Sequence, residues 1–283
     1  MRIVGPYVGV LLALSAGVAS SATAEEFQDC DDCPTMVTVP GGEFVRSLFA
    51  DAPQQTVSVA SFAIGKFEVT IAEFAVFVDA TGIGVQPGCE LFNVMGNVPD
   101  PDASWRRPGF ELQDTAPALC VTWDEAVAYS QWLSDTTGQS YRLPTEAEWD
   151  YAAHAGAENN VSYFLRAGLG RQGANCHDCA GFDLMGREDL LFALPVDTFE
   201  PNQFGLHVMF GNAAEWVADC YNATYEGAPT DGTAWFLGDC DRRILRGGGW
   251  SSFWAELAGG RVVAEPTRRE NAIGFRVARD LGG

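Results

Sequence analysis

Few residues in this 283-residue chain are equipped for chemistry. There are eight cysteines, three histidines (His154, His177, His207) and a single lysine, Lys66. One lysine leaves very little room for Schiff-base catalysis. The cysteines fall into couples close in sequence: Cys30 with Cys33, Cys89 with Cys120, Cys176 with Cys179, and Cys220 with Cys240. An even count in an exported chain favours disulfides over free thiols, and the local couples are the expected pairing among many connectivities. Read together, "CDDC" and "CHDC" offer a zinc alternative, which export and acidic surroundings disfavour. A third feature is "RILRGGGWSSFWAEL", Arg243 to Leu257, where three glycines run into a tryptophan and two serines. That layout predicts backbone packed tightly, with polar side chains on display beyond it.

These groups must be positioned by secondary structure, and three helices share one start signal. Thr70 with Glu73, Thr122 with Glu125 and Thr145 with Glu148 are capping boxes, in which each side chain satisfies an orphan amide of the first turn. Apolar stripes follow (Phe74, Phe77, Val78; Ala126, Tyr129, Trp132, Leu133; Trp149, Ala152, Ala153), and the helices are expected to stop at Gly82, Gly138 and Gly156. These glutamates are caps, not catalysts. "EVTIAEFAVFVDATG" and "CVTWDEAVAYSQWLSDTTG" look like two versions of one strand-to-helix unit. Alternating runs such as "QQTVSVASFAIGKFEVT" read as strands. Beyond Gly156 turn residues become dense, and no linker splits the chain. The expectation is one loop-rich α+β domain over 35–283, preceded by a poorly packed lead-in at 25–34.

The first 24 residues, "MRIVGPYVGVLLALSAGVASSATA", carry Arg2, an apolar stretch from Val8 to Val18 and a small-residue end. They read as a secretory signal peptide cut after Ala24, which places the mature chain in the periplasm or outside the cell. No segment is long enough for a membrane span. The formal charge of −21 becomes one unit more negative once Arg2 is removed, so nucleic acid is not an expected partner. A protein or small-molecule ligand is.

The segments "MVTVPGGEFV", "FEVTIAEFAVFV", "CVTWDEAVAYSQWL", "YRLPTEAEWDYAAHAG", "LPVDTFEPNQFGLHVMFGNAAEWVADC", "RILRGGGW" and "NAIGFRVARD" occur in that order between Met36 and Asp280. In this combination the chain resembles the formylglycine-generating enzymes, the sulfatase-modifying factor family. The resemblance implies a single compact domain poor in regular elements and related to C-type lectin folds. It also implies a specific chemistry: active members oxidise a sulfatase cysteine to formylglycine with oxygen and a copper ion held by two thiolates. Soft thiolates select Cu(I). The family's cysteine positions fall here on Ser252 and Leu257, neither of which is a copper ligand, so copper is not expected.

Two further cofactors follow from the resemblance. A related branch holds non-haem iron with three histidines, two of them as His-xxx-His, a spacing that His154, His177 and His207 lack. Structural calcium is the other, bound by hard oxygen ligands. Its first site maps to Asn175, the Cys176 carbonyl and Glu188 or Asp189. A second would use Glu215 of "GNAAEW", but the position seven residues earlier, where the family places an Asp or Asn, is Val208.

Three functions therefore stand, in this order. The first is a catalytically silent exported binding or accessory module presenting Ser251, Ser252, Phe253 and Trp254. The second is an oxidoreductase or tautomerase similar to the periplasmic branch acting in siderophore (pyoverdine-type) maturation, with a pocket lined by Trp250, Glu256 and Arg276. The third is a formylglycine-generating oxidase with another metal arrangement.

Overall fold

A computed structural model describes residues 25–46, 53–93, 96–155, 174–179, 192–257 and 261–282. The expected signal peptide, Gly156, Glu188 and Asp189 lie outside the described residues. Two sheets form the frame. The first joins β1 (Glu26–Phe27), β2 (Met36–Val39), β5 (Phe62–Gly65), β13 (Ala278–Asp280) and β8 (Tyr141–Arg142) in that order, with antiparallel neighbours throughout. Because β13 pairs with β5 and β8, the strand at 278–280 closes against the N-terminal third and the middle of the chain. The second sheet runs β11 (Arg261–Ala264), β10 (Asp239–Arg246), β9 (Ala214–Tyr221) and β12 (Ile273–Gly274), with β12 parallel to β9. Hairpins β3 (Gly42–Arg46) with β4 (Gln55–Val59), and β6 (Cys89–Asn93) with β7 (Gly96–Asp100), lie outside these sheets.

All three capping boxes form, opening α1 (Ile71–Thr81), α2 (Trp123–Thr137) and α3 (Glu146–His154). Gly82 and Gly138 close the first two in the left-handed conformation, at φ 64° and 71°. The third helix departs from expectation. It ends one residue early, on Ala155 at φ 43°, whose amide donates to the Tyr151 carbonyl. Alanine accepts that conformation at a cost because Ala155 is buried and its surroundings hold it there. The two similar segments before α1 and α2 are neighbours in space, since Thr70 and Pro117 form an isolated antiparallel bridge.

The lead-in also differs from expectation, because residues 25–34 are part of the fold. β1 pairs with β2, Cys33 is 2% exposed in the core, and Asp29 accepts from the Tyr141 hydroxyl. One core cluster packs α1 and α2 through Phe74, Phe77, Tyr129 and Phe275. A second surrounds Trp149 on α3 with Val37, Ile64, Val217, Ile244 and Leu257. The disulfides are Cys30–Cys33, Cys89–Cys120, Cys176–Cys179 and Cys220–Cys240, leaving no free cysteine. Among the described residues no helix is long and apolar enough to cross a membrane.

Candidate functional site

The segment after β10 explains its three glycines. Gly247 and Gly248 adopt φ 84° and 65°, and a Cβ on Gly248 would lie 2.5 Å from Leu257 Cδ2 and 3.1 Å from Ser252 Oγ. Ser252 and Leu257, the positions that the resemblance assigns to copper ligands, therefore both lie against one glycine. Ser252 is tied locally: its Oγ accepts from the Gly249 amide at 3.1 Å, and its carbonyl accepts from the His177 amide at 2.8 Å. Leu257 ends the short helix α4 (Trp254–Leu257) and is 1% exposed. With every cysteine in a disulfide, no thiolate is at hand to hold Cu(I) there.

Around this turn the display surface is aromatic. Phe253 is 49% exposed, and its ring meets that of His177 at 4.8 Å. Trp250 is buried, with its indole donating to the Asn271 carbonyl, and the rings of Phe92, Phe110 and Phe192 stand 5.5–5.8 Å from it. The Trp254 amide donates to Asp178, which links the "CHDC" loop to α4. Phe92, Phe110 and Phe192 come from distant stretches of chain, and no pattern in the sequence singled them out.

The expected pocket of Trp250, Glu256 and Arg276 is not assembled. Glu256 uses its carboxylate to accept from the Phe253 amide at 2.7 Å. Arg276 is fully buried, bonded to Glu215 and to the carbonyls of Gly65 and His207. Side chains held in these ways are structural, so they do not form an acid–base pair facing one substrate. A pocket of about 450 Å3 does lie beside the turn, with Ser251, Ser252 and Gly249 in its wall. Its charged groups are Arg242 and Arg268 with Glu265 and Glu270. Arg268 is held by Glu90 and Glu270, each at 2.8 Å.

The calcium positions divide. Glu215 does not fit a metal: its Oε2 accepts from Trp149 Nε1 and Arg276 Nε, both at 2.7 Å, and its Oε1 from Arg276 at 2.6 Å. A carboxylate already paired with a buried guanidinium, with apolar Val208 where the family places an Asp or Asn, is a poor ligand set for a cation. Asn175 fits better. Its amide nitrogen donates to Phe192 and Asn212, which turns Oδ1 the other way, and the Cys176 carbonyl is next in the chain. The histidines are separate: Nδ1 of His154 contacts the Asp150 carbonyl and that of His207 the Phe199 carbonyl, while burial lowers the His207 pKa. Among the described residues no three His, Cys, Asp or Glu side chains gather into a metal cluster.

Beneath the turn lies a group the sequence did not mark. Glu68 is buried and accepts from Asn212 Nδ2 at 2.9 Å and the Ala213 amide at 3.0 Å. Burial, with Glu215 adding to it, pushes the Glu68 pKa up to about 8. Asn212 in turn accepts from Asn175 at 3.0 Å, and its carbonyl accepts from the Trp250 amide at 2.9 Å.

Two sheets, three capped helices and a triple-glycine turn against which Ser252 and Leu257 both lie define a domain of the formylglycine-generating-enzyme type. The sulfatase-modifying factor enzyme 1-like domain matches residues 21–281, so the chain belongs to that family. A formylglycine-generating enzyme of Streptomyces coelicolor is 30% identical over 285 residues, covering 86% of this chain and 88% of its own. The inactive C-alpha-formylglycine-generating enzyme 2 of Mus musculus is 29% identical, covering 88% of this chain and 87% of its own. Among solved structures, PvdO from Pseudomonas aeruginosa is similar with a TM-score of 0.75 and 32% identity, covering 91% of this chain and 98% of its own.

Proposed function

We propose that this protein is an exported family member that does not generate formylglycine and instead binds a ligand or partner at the surface of Ser251, Ser252, Phe253 and Trp254. The observation that carries the reading is the pair Ser252 and Leu257, both lying against Gly248, in a chain whose cysteines are all bonded. A hydroxyl and an isobutyl group supply no soft ligand for Cu(I). Exposed Phe253 provides an aromatic anchor and the 450 Å3 pocket beside it a concave, partly charged wall. The disulfides support an oxidising compartment, hence the periplasm or the exterior. A structural calcium ion would be held through Asn175 Oδ1 and the Cys176 carbonyl. Chelation should then lower the melting temperature, and Asn175→Ala should abolish that difference.

The decisive assay offers a cysteine-containing sulfatase peptide to the purified protein with copper and oxygen. No gain of a carbonyl is expected by mass spectrometry. Conversion above a heat-treated control would overturn the reading and restore the oxidase.

A second reading is an oxidoreductase or tautomerase of the siderophore-maturation branch. Its support is the similarity to PvdO over nearly that whole chain. Arg268, Glu265 and Glu270 would then be the groups to test in place of Glu256 and Arg276, and turnover of a siderophore precursor would distinguish an enzyme from a binding module.

A further inference from the structure

A second pocket, about 560 Å3 in volume, shares no lining residue with the one beside Ser251 and Ser252. It opens between α2, strand β8 and the loop at 231–236. Trp123 and Val127 of α2, Leu143, Ala218 and Phe236 make its walls largely apolar. Two of these face solvent, Phe236 at 62% and Val127 at 36% exposure, so the apolar lining continues to the mouth. Its volume is that of a small-molecule site.

The loop that forms one wall is held in place rather than draped. The Thr145 hydroxyl donates to the Gly232 carbonyl at 2.8 Å, the Ser58 amide to the Thr230 carbonyl at 2.8 Å, and the Trp235 amide to Asp219 at 2.7 Å. Cys220–Cys240 staples its two ends. A ligand would therefore meet a preformed cavity and pay little to order it.

The charges at the wall are unequal. Glu148, Asp231 and Asp280 line the pocket against one cation, Arg142, which already bonds Glu148 at 2.6 Å and Asp280 at 2.7 Å. Arg243 stacks on Trp123 at 3.8 Å and donates to the Ala218 carbonyl, but it is not part of the wall. Asp231 and Asp280 are both exposed, but Asp280 and Glu148 are paired with Arg142, whereas no ion pair engages Asp231 among the described residues. The Asp231 Oδ1 accepts from the Thr233 amide and hydroxyl at 3.1 and 2.6 Å, which orients the carboxylate while leaving Oδ2 without a partner among the described residues. Apolar walls with a surplus of negative charge complement a molecule that is apolar at one end and cationic at the other.

We propose that this pocket binds a small hydrophobic cation, an aromatic or alkyl group carrying an amine, with Asp231 as its counter-ion. The proposal is independent of the Ser251–Trp254 surface. It is tested by calorimetric titration of the mature protein with phenethylammonium, its neutral analogue phenethyl alcohol, and anionic phenylacetate. The ammonium should bind about two- to five-fold more tightly than the alcohol, the size of an exposed ion pair, and phenylacetate most weakly. Asp231→Asn should erase the preference for the ammonium while leaving the alcohol unchanged, because an Asn Oδ1 still accepts from Thr233. Val127→Trp, on an exposed helix position, should fill the cavity and remove binding of all three. Equal or reversed affinities, binding that survives Val127→Trp, or no binding by any probe would each overturn the proposal.

Discussion

Arg276 grips Glu215 with two hydrogen bonds of 2.6 and 2.7 Å, and neither side chain is more than 1% exposed. The pair ties "GNAAEW" to "NAIGFR" and sits between the two sheets, where Arg276 also bonds the Gly65 carbonyl of β5. Its value lies in the cost of breaking it. Arg276→Met leaves a buried carboxylate facing only Trp149 Nε1 and should destabilise the protein by about 3–5 kcal/mol. Urea unfolding of Arg276→Met, Glu215→Gln and the double variant tests this, and the double variant should lose clearly less than the sum of the singles.

Glu68 and Asp219 give stability an unusual pH dependence. Burial raises Glu68 from 4.5 to about 8, and burial assisted by Glu146 raises Asp219 from 3.8 to about 7. Between its unfolded and folded values each group holds a proton in the folded state that the unfolded chain releases. The stability they contribute is complete at low pH and is lost as pH rises through the folded pKa. Stability measured by denaturant unfolding should therefore fall between about pH 4.5 and 8, and Glu68→Gln should flatten that slope even though it places an amide against Asn212. A wild-type curve that rises across this range would contradict the assignment.

Restoring thiols at the triple-glycine turn should restore metal affinity. Ser252→Cys with Leu257→Cys sets two sulfurs on side chains that both approach Gly248. With ascorbate keeping copper as Cu(I) and the four native disulfides left intact, the double variant should hold close to one Cu(I) per chain against a competing chelator, while either single variant should not. Loss of the Leu257 side chain from the core will lower the melting temperature, so copper content is the readout.

The three capping threonines should not be equivalent. Thr70→Ala removes one cap and should cost about 1 kcal/mol. Thr145 caps α3 and also donates to the Gly232 carbonyl at 2.8 Å in a buried setting, so Thr145→Ala should cost about 2 kcal/mol. Equal losses in urea unfolding would show that the bond to Gly232 contributes nothing.

What could be read from the sequence was local. The capping boxes at Thr70, Thr122 and Thr145 and the close pairs Cys30–Cys33 and Cys176–Cys179 join residues three apart, so their geometry follows from chain connectivity alone. The family motifs were equally legible, because they depend on which residue occupies which position. The tertiary structure decided everything that depends on distant segments meeting. Glu215 and Arg276 are 61 residues apart, and their pairing turned a candidate calcium ligand and a candidate catalytic base partner into one structural ion pair. Trp250, Glu256 and Arg276 were drawn to three separate tasks, while Phe92, Phe110 and Phe192 arrived from elsewhere to surround Trp250. The lead-in at 25–34 packed because β1 pairs along β2, and α3 is capped by Ala155, a buried residue in a left-handed conformation that local preference alone would have assigned to a glycine. Local preferences act between near neighbours, whereas burial and ion pairing depend on the whole packed chain, and that is where this site was made.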